Sequence, residues 1–190
     1  MKYNPDIHRR RSIRLKEFDY AQTGAYFITI CTRERELLFG HADYESIVHD
    51  EWYRTAIVRP SIQLDEFICM PNHFHGIIIF IEPCRGEAVP RPDLTPNKRA
   101  TRRVAPTQGI RPNTLGAIIG QFKSMTTKRI NQLRGTTGLS VWQRNYYEHI
   151  IRNEDELYRI RQYIRDNPLN WETDEENPNR RTFPVSTLPF

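Results

Sequence analysis

The segment that decides the fold is Met70-Pro71-Asn72-His73-Phe74-His75-Gly76-Ile77-Ile78-Ile79-Phe80, in which two histidines precede a strongly apolar, β-branched run. Such a run predicts a buried strand. Residues i and i+2 of a strand point to the same face, so His73 and His75 should project side by side. Two neutral imidazoles held in this way form half of a metal site. Taken alone, such a pair is more often two ordinary polar residues at the end of a strand.

Working towards the N-terminus, the sequence predicts two strands and a helix. The β-rich run at 25–32 predicts a central strand. Asp43 can cap a helix, and this helix should end before Pro60 because the residue before a proline avoids the α conformation. Apolar residues at 62–70 predict a second strand, interrupted by Glu66, that forms a hairpin with the histidine strand.

Working towards the C-terminus, Asn113 is expected to cap a second helix that stops at Gly135. Its buried side should contain Leu115, Ile118, Ile119, Phe122, Met125, Ile130 and Leu133. A last strand follows at 146–151, with 141–143 as a part separated by a turn. The order β-α-β-β-α-β predicts an α+β, ferredoxin-like (RRM-like) antiparallel sheet with helices on one face.

A final helix adds the second half of the candidate site. Asn153 should cap it, an apolar stripe follows, and Pro168 should stop it. Tyr163 and Asn167 are four residues apart, so they lie on one face at the edge of the stripe. A metal could bind the two imidazoles and the amide oxygen, and the phenol could attack a phosphate. Alternatively, Tyr163 is an aromatic residue at the edge of the core and Asn167 is a C-cap.

Charge is distributed unevenly along this chain of 190 residues, which is long enough for one domain with a sizeable core. The net charge is +5, but residues 1–16 and residues 83–112 each carry +5, so the remainder carries −5. The second segment also contains six prolines, which is typical of a loosely attached insertion. Two basic segments on a mildly acidic body indicate either a nucleic-acid partner or a solvated tail and loop.

The cysteines and the apolar runs indicate the cellular compartment in which the protein works. Cys31, Cys69 and Cys84 are an odd set without a C-x-x-C pair, which argues against a disulfide framework and for a reducing compartment. No apolar run approaches the length of a bilayer, and the N-terminus has no apolar signal-peptide segment. We therefore expect a cytoplasmic protein with no membrane association.

Three motifs together resemble those of the single-tyrosine HUH transposases. The segment Met70-Pro71-Asn72-His73-Phe74-His75 is similar to their His-hydrophobic-His signature. Residues 142–153 (Trp-Gln-Arg-Asn-Tyr-Tyr-Glu-His-Ile-Ile-Arg-Asn) and 163–168 (Tyr-Ile-Arg-Asp-Asn-Pro) resemble the branch called REP-associated tyrosine transposases. The resemblance covers about residues 20–172, leaving a basic N-terminal arm at 1–19 and a tail at 173–190. It matches neither the insertion at 83–112 nor the tail.

The resemblance implies an enzyme that cuts and rejoins single-stranded or hairpin DNA through a covalent 5′-phosphotyrosine. It makes Tyr163 the nucleophile on the C-terminal helix. It makes His73, His75 and, by a one-turn offset, Asn167 the ligands of a divalent cation, Mg²⁺ or Mn²⁺. We expect DNA contacts from basic side chains in four parts of the chain, namely Arg9, Arg10, Arg11, Lys123, Arg144 and Arg159. His149 lies within a shared motif and could support the site.

Three alternatives stay open at this point. One is an HUH replication initiator or relaxase, which shares the chemistry. The second is a domesticated protein that binds hairpin DNA and no longer cleaves it. The third is a zinc hydrolase, although the sequence offers no credible Asp or Glu base near the histidines.

The resemblance also leaves the oligomeric state open. Insertion-sequence relatives can exchange the tyrosine helix between subunits, whereas REP-associated relatives can act as monomers. Both a monomer and a homodimer are therefore compatible with the sequence.

Overall fold

A computed structural model describes residues 23–81, 113–174 and 176–180. The basic arm at 1–19, the insertion at 83–112 and the end of the tail from 181 lie outside the described residues. The described elements are β1 (Gly24–Cys31), α1 (Ala42–Ile57), β2 (Ile62–Met70), β3 (His73–Phe80), α2 (Leu115–Leu133), β4 (Tyr147–Ile151) and α3 (Glu154–Asp166), with short 3₁₀ helices at Arg33–Arg35, Leu38–Gly40 and Asn167–Thr173. Within these ranges no helix is both long enough and apolar enough to cross a bilayer.

The four strands form one antiparallel sheet in the order β2-β3-β1-β4. The chain order and this strand order confirm the predicted α+β, ferredoxin-like architecture. β2 and β3 form the predicted hairpin, with Met70 opposite His73. The predicted split of the last strand is also present, because Trp142 forms only an isolated bridge with Thr32 before β4 begins.

The two faces of the sheet are covered by different helices. Alternate residues of the central strands, such as Ile28 and Phe74, join α1 and α2 in the larger core around Trp52. The residues between them point the other way, and Phe27 and Ile77 pack with the apolar stripe of α3. The histidines belong to this second face, because His75 precedes Ile77 by two positions in β3. The C-terminal helix therefore covers the face that carries His73 and His75.

Gly76 separates the two histidines from the apolar end of β3 and faces the larger core. A Cβ atom built on Gly76 would lie 2.6 Å from the Trp52 ring and 2.9 Å from the Phe74 ring. Real Cβ atoms do not approach other atoms so closely, so glycine at this position leaves room for the Trp52 and Phe74 rings. Trp52 itself is completely buried.

Three local predictions about α1 and α2 are wrong. α1 begins two residues earlier than expected, with His41 at the N-cap and Asp43 in the first turn. The N-cap of α2 is Thr114, whose hydroxyl accepts a hydrogen bond from the Ala117 amide, because Asn113 has a positive φ of 66°. Leu133, at the end of α2, is half-exposed and not part of the core. Gly135 does follow the helix with φ of +65°, as a C-terminal stop requires.

Candidate active site

The candidate site lies at one end of the sheet face that α3 covers. Across the strands, His75 of β3 is directly opposite Thr29 of β1, and His73 is opposite Cys31. α3 packs over the neighbouring Phe27 and Ile77, so the end of α3 reaches the two histidines. Tyr163 is brought to His75, with ring centroids 5.3 Å apart.

The orientation of the His73 ring follows from its hydrogen bond to Asn72. The Asn72 Nδ2 amide donates to the backbone carbonyls of Glu176 at 2.6 Å and Arg35 at 3.3 Å. Carbonyls accept and cannot donate, so Oδ1 of Asn72 must face the His73 Nδ1 atom 2.9 Å away and accept a hydrogen bond from it. We therefore assign the His73 proton to Nδ1, which leaves a lone pair on Nε2.

The lone pair on His73 Nε2 is buried, and a second buried acceptor, the side-chain oxygen of Asn167, lies near it. His73 is completely buried and Asn167 is 3% exposed. Neither His73 Nε2 nor Asn167 Oδ1 has a hydrogen-bond partner among the residues that the structure describes. The Asn167 amide is nevertheless close enough to favour the protonated form of His73, although burial dominates and lowers the pKa of His73 overall. Two buried acceptors near each other are unfavourable unless a proton or a cation lies between them.

His75 is held in a matching way. Its Nδ1 atom lies 2.8 Å from the Thr29 hydroxyl, and the backbone of Ile28 favours a protonated ring. Ile28 directly precedes Thr29, which contacts Nδ1, so we take the favoured proton to be the one on Nδ1. The lone pair of His75 is then on Nε2. Burial, and then the proximity of His73, lower the pKa of His75 to about 3. Both imidazoles are thus neutral at pH 7, which is the state that binds metals.

Tyr163 shares the remaining lone pair of His75. Its hydroxyl lies 3.4 Å from His75 Nε2, while the side chain is 49% exposed. Phe27 contacts the rings of both Tyr163 and His75 and fixes their relative tilt. One lone pair cannot serve a phenol and a cation together, so metal binding at His75 Nε2 would release the Tyr163 hydroxyl to another partner.

These observations test whether the residues fit a divalent cation. The described residues contain no group of three His, Cys, Asp or Glu side chains that could hold a metal ion. Two imidazole nitrogens and one amide oxygen do converge, however, and the buried acceptors on His73 and Asn167 lack partners within the described part of the chain. Asn167 keeps helical angles, φ −55° and ψ −43°, despite preceding Pro168. The donor set fits a cation that accepts nitrogen and oxygen ligands.

Ion pairs attach α3 to an irregular part of β2. The pairing of β2 with β3 shifts between Leu64 and Phe67, where a bulge presents Asp65 and Glu66. Arg161 donates through Nε to Asp65 at 2.8 Å and through Nη2 to its other oxygen, and Arg165 pairs with Glu66. The Arg161 hydrogen bond lowers the pKa of Asp65 below its ordinary value. Arg161 and Arg165 flank Tyr163 in the sequence, so these pairs hold the segment of α3 that carries the phenol.

His149 contacts the beginning of α3. Its Nε2 atom lies 2.7 Å from Glu156 Oε1, and the second oxygen of Glu156 accepts from the Arg152 amide. Asn153 accepts from the Glu156 amide, which confirms it as the N-cap. His149 therefore connects β4 to the first turn of α3 and does not join the two histidines of β3.

The residues predicted to bind DNA fall in different surroundings. Arg144 and Arg159 are exposed. The Lys123 ammonium donates to the carbonyls of Gln143, Arg144 and Asn145, and burial lowers its pKa to about 8. Lys123 thus stabilises the loop before β4. Arg9, Arg10 and Arg11 lie outside the described residues.

Sequence reasoning did not single out Asn72, Glu176 or Arg35. Glu176 pairs with Arg35 and accepts from the Cys31 thiol at 3.4 Å. Burial, followed by the Glu176 charge, raises the pKa of Cys31 to about 12. The start of the C-terminal tail is thus attached to the edge of the site. The only sequence feature that could have pointed to one of these residues was the position of Asn72 immediately before His73.

Comparison with known proteins identifies a close relative. A Haemophilus influenzae protein without an assigned function is 42% identical over 182 residues, covering 92% of this chain and 96% of the relative. The two proteins belong to one family. No protein-family model matches the chain.

Solved structures extend the comparison to the fold. A REP-associated tyrosine transposase, solved bound to a REP hairpin, superposes with a TM-score of 0.54 at 18% identity, covering 83% of this chain and 74% of that chain. A Deinococcus radiodurans chain provisionally assigned as a transposase has a TM-score of 0.38 at 18% identity, covering 80% and 97% of the two chains. The second likeness is too weak to carry an argument, and the first shows a shared fold.

Proposed function

We propose that this protein is a transposase-like enzyme that binds single-stranded or hairpin DNA and transfers strands through a 5′-phosphotyrosine at Tyr163. The observation that carries the proposal is the convergence of a half-exposed phenol on two buried, neutral imidazoles, with the Tyr163 hydroxyl 3.4 Å from His75 Nε2. The shared fold with a hairpin-bound tyrosine transposase supports the choice of substrate.

Tyr163 would supply the nucleophile. Its oxygen attacks the phosphorus and the bond to the 3′ oxygen breaks, so the 5′ phosphate stays on the protein. The phenolic proton ends on the departing 3′ hydroxyl. Because one phosphodiester replaces another, a second 3′ hydroxyl can reverse the step and rejoin the strands without ATP. Phe27 and the two ion pairs of α3 would orient the phenol for this attack.

His73, His75 and Asn167 would hold a divalent cation, Mg²⁺ or Mn²⁺. When bound, the cation would neutralise the charge that develops on the scissile phosphate. Asn72 and Thr29 would keep the Nδ1 atoms of the two histidines protonated and their Nε2 atoms available. Burial lowers the pKa of both rings and so disfavours their protonated forms, which cannot bind metal.

A strand-cleavage assay tests the proposal. The substrates are end-labelled oligonucleotides that contain the hairpins flanking this protein's gene, incubated with Mg²⁺ or Mn²⁺. We expect cleavage together with a protein–DNA adduct that survives SDS. Tyr163→Phe should abolish both and keep hairpin binding, because it removes only the phenolic oxygen.

The matched control is Tyr158→Phe, which alters an exposed tyrosine on the same helix and should leave cleavage unchanged. Cleavage by Tyr163→Phe at the wild-type rate would contradict the assignment of the nucleophile. Tight hairpin binding by the wild-type protein with no cleavage under either metal would favour a binding protein instead.

A further inference from the structure

Tyr147 lies on the sheet face of the candidate site. In the strand register, Thr29 of β1 is opposite His75 on one side and opposite Tyr147 of β4 on the other. Directly paired residues point to the same face, so His75, Thr29 and Tyr147 form one row across three strands. The position of Ile151 in the α3 core, four residues after Tyr147 along β4, confirms which face this is.

The row is only partly covered by α3. The helix packs over the neighbouring residues Phe27, Ile77 and Ile151. Tyr147 is 49% exposed, and Thr29 beside it is half-buried. The preceding residue, Tyr146, points to the other face and packs against the larger core. An aromatic ring is therefore exposed next to the site, while its neighbour in sequence is used for packing.

The spacing between Tyr147 and His75 suits a nucleotide within a few positions of the reacting phosphate. Tyr147 is two strands from His75, roughly 10 Å. This is about three times the rise of ~3.4 Å per nucleotide of a strand in duplex DNA, and an extended single strand covers it in fewer nucleotides. Positive charge is also available, since Arg144, three residues before Tyr147, is exposed. Bases stack on exposed aromatic rings, and basic side chains attract the backbone that links them.

We infer that Tyr147 is a stacking platform for a base of single-stranded DNA, one to three nucleotides from the phosphate that Tyr163 attacks. This inference rests on the proposed function, because it takes the substrate to be single-stranded. It assigns to Tyr147 a role in substrate binding that is separate from the cleavage step carried out by Tyr163.

Fluorescence of 2-aminopurine tests the inference without cleavage. The fluorophore replaces each base in turn in the single-stranded flank of the hairpin oligonucleotide, and titrations are done in EDTA with the full-length protein. Stacking on a ring quenches 2-aminopurine, so wild-type protein should quench strongly at one or two adjacent positions. Tyr147→Ala should remove that quenching and weaken binding about 5- to 150-fold.

Three further variants separate stacking from folding. Tyr147→Phe keeps the ring and should keep the quenching, whereas Tyr147→Leu fills the strand position without a ring and should lose it. Tyr158→Ala removes another exposed tyrosine and should change neither quenching nor affinity. Wild-type quenching in Tyr147→Leu would overturn this inference while leaving DNA binding intact. Failure of the wild-type protein to bind the oligonucleotide at all would overturn the proposed function as well.

Discussion

Replacing Asn72 by alanine perturbs His73 without touching any group that reacts. Asn72 is completely buried, and its side chain makes three hydrogen bonds, to His73 Nδ1 and to the carbonyls of Glu176 and Arg35. Alanine removes all three. A buried group left without its partner costs about 1–3 kcal/mol. Arg35 is exposed and Glu176 is half-buried, so water can replace part of the lost hydrogen bonding. We therefore expect stability to fall by about 2 kcal/mol in urea unfolding.

The more specific effect of Asn72→Ala is on the tautomer of His73. Without an acceptor at Nδ1, the proton moves to Nε2, where it can be donated to Asn167 Oδ1. Nitrogen-15 NMR of the imidazole distinguishes the two tautomers directly. A protonated Nε2 cannot bind a cation, so Mn²⁺ affinity, measured by electron paramagnetic resonance, should fall about 10- to 100-fold.

A matched control is Asn145→Ala, which replaces an exposed asparagine and should change neither quantity. An unchanged His73 tautomer together with wild-type Mn²⁺ affinity in Asn72→Ala would refute the reasoning. Lower stability alone would not support it, because any cavity in this region could lower stability.

Three other predictions concern packing, the position of α3 and the basic arm. Gly76→Ala should destabilise the protein by about 1–3 kcal/mol in thermal or urea unfolding, because the new methyl group overlaps the Trp52 ring; unchanged stability would contradict this packing. Arg161→Gln should lower stability by about 1 kcal/mol near pH 7. Since the pKa of Asp65 is lowered from 3.8, this contribution is complete above pH 4 and disappears as the pH falls further, so a pH-independent difference would contradict it. Replacing Arg9, Arg10 and Arg11 by Gln should reduce the salt dependence of DNA affinity by roughly one unit of log–log slope for each phosphate that the arm neutralises, and an unchanged slope would show that the arm does not bind DNA.

The sheet and the shared face of the two histidines could be predicted from the sequence because they depend on periodicity. Alternation in a strand is strict, so His73 and His75 could only point the same way. The helix that carries Tyr163 was also predictable, since Asn153 has a side chain suited to its N-cap. The starts of α1 and α2 were not, because tertiary contacts and the positive φ of Asn113 decide them.

The surroundings of the site could not be predicted because they join distant segments. Asn72 and Glu176 are 104 residues apart, and Asp65 and Arg161 are 96 residues apart. No periodicity relates such positions. The bulge that presents Asp65 was visible only as an interruption by Glu66 in an otherwise alternating strand. Similarly, the partner of His149 depends on the turn between β4 and α3, where Glu156 folds back.

The most direct test of the central claim identifies the residue that becomes linked to DNA. The protein is incubated with a cleavable hairpin oligonucleotide and Mg²⁺ or Mn²⁺, the adduct is digested with protease, and the modified peptide is sequenced by mass spectrometry. The chain has nine tyrosines, of which Tyr163 alone lies 3.4 Å from His75 Nε2 among those that the structure describes. We expect the nucleotide on the peptide that contains Tyr163. A nucleotide on Tyr146, Tyr147 or Tyr158 instead would contradict the account.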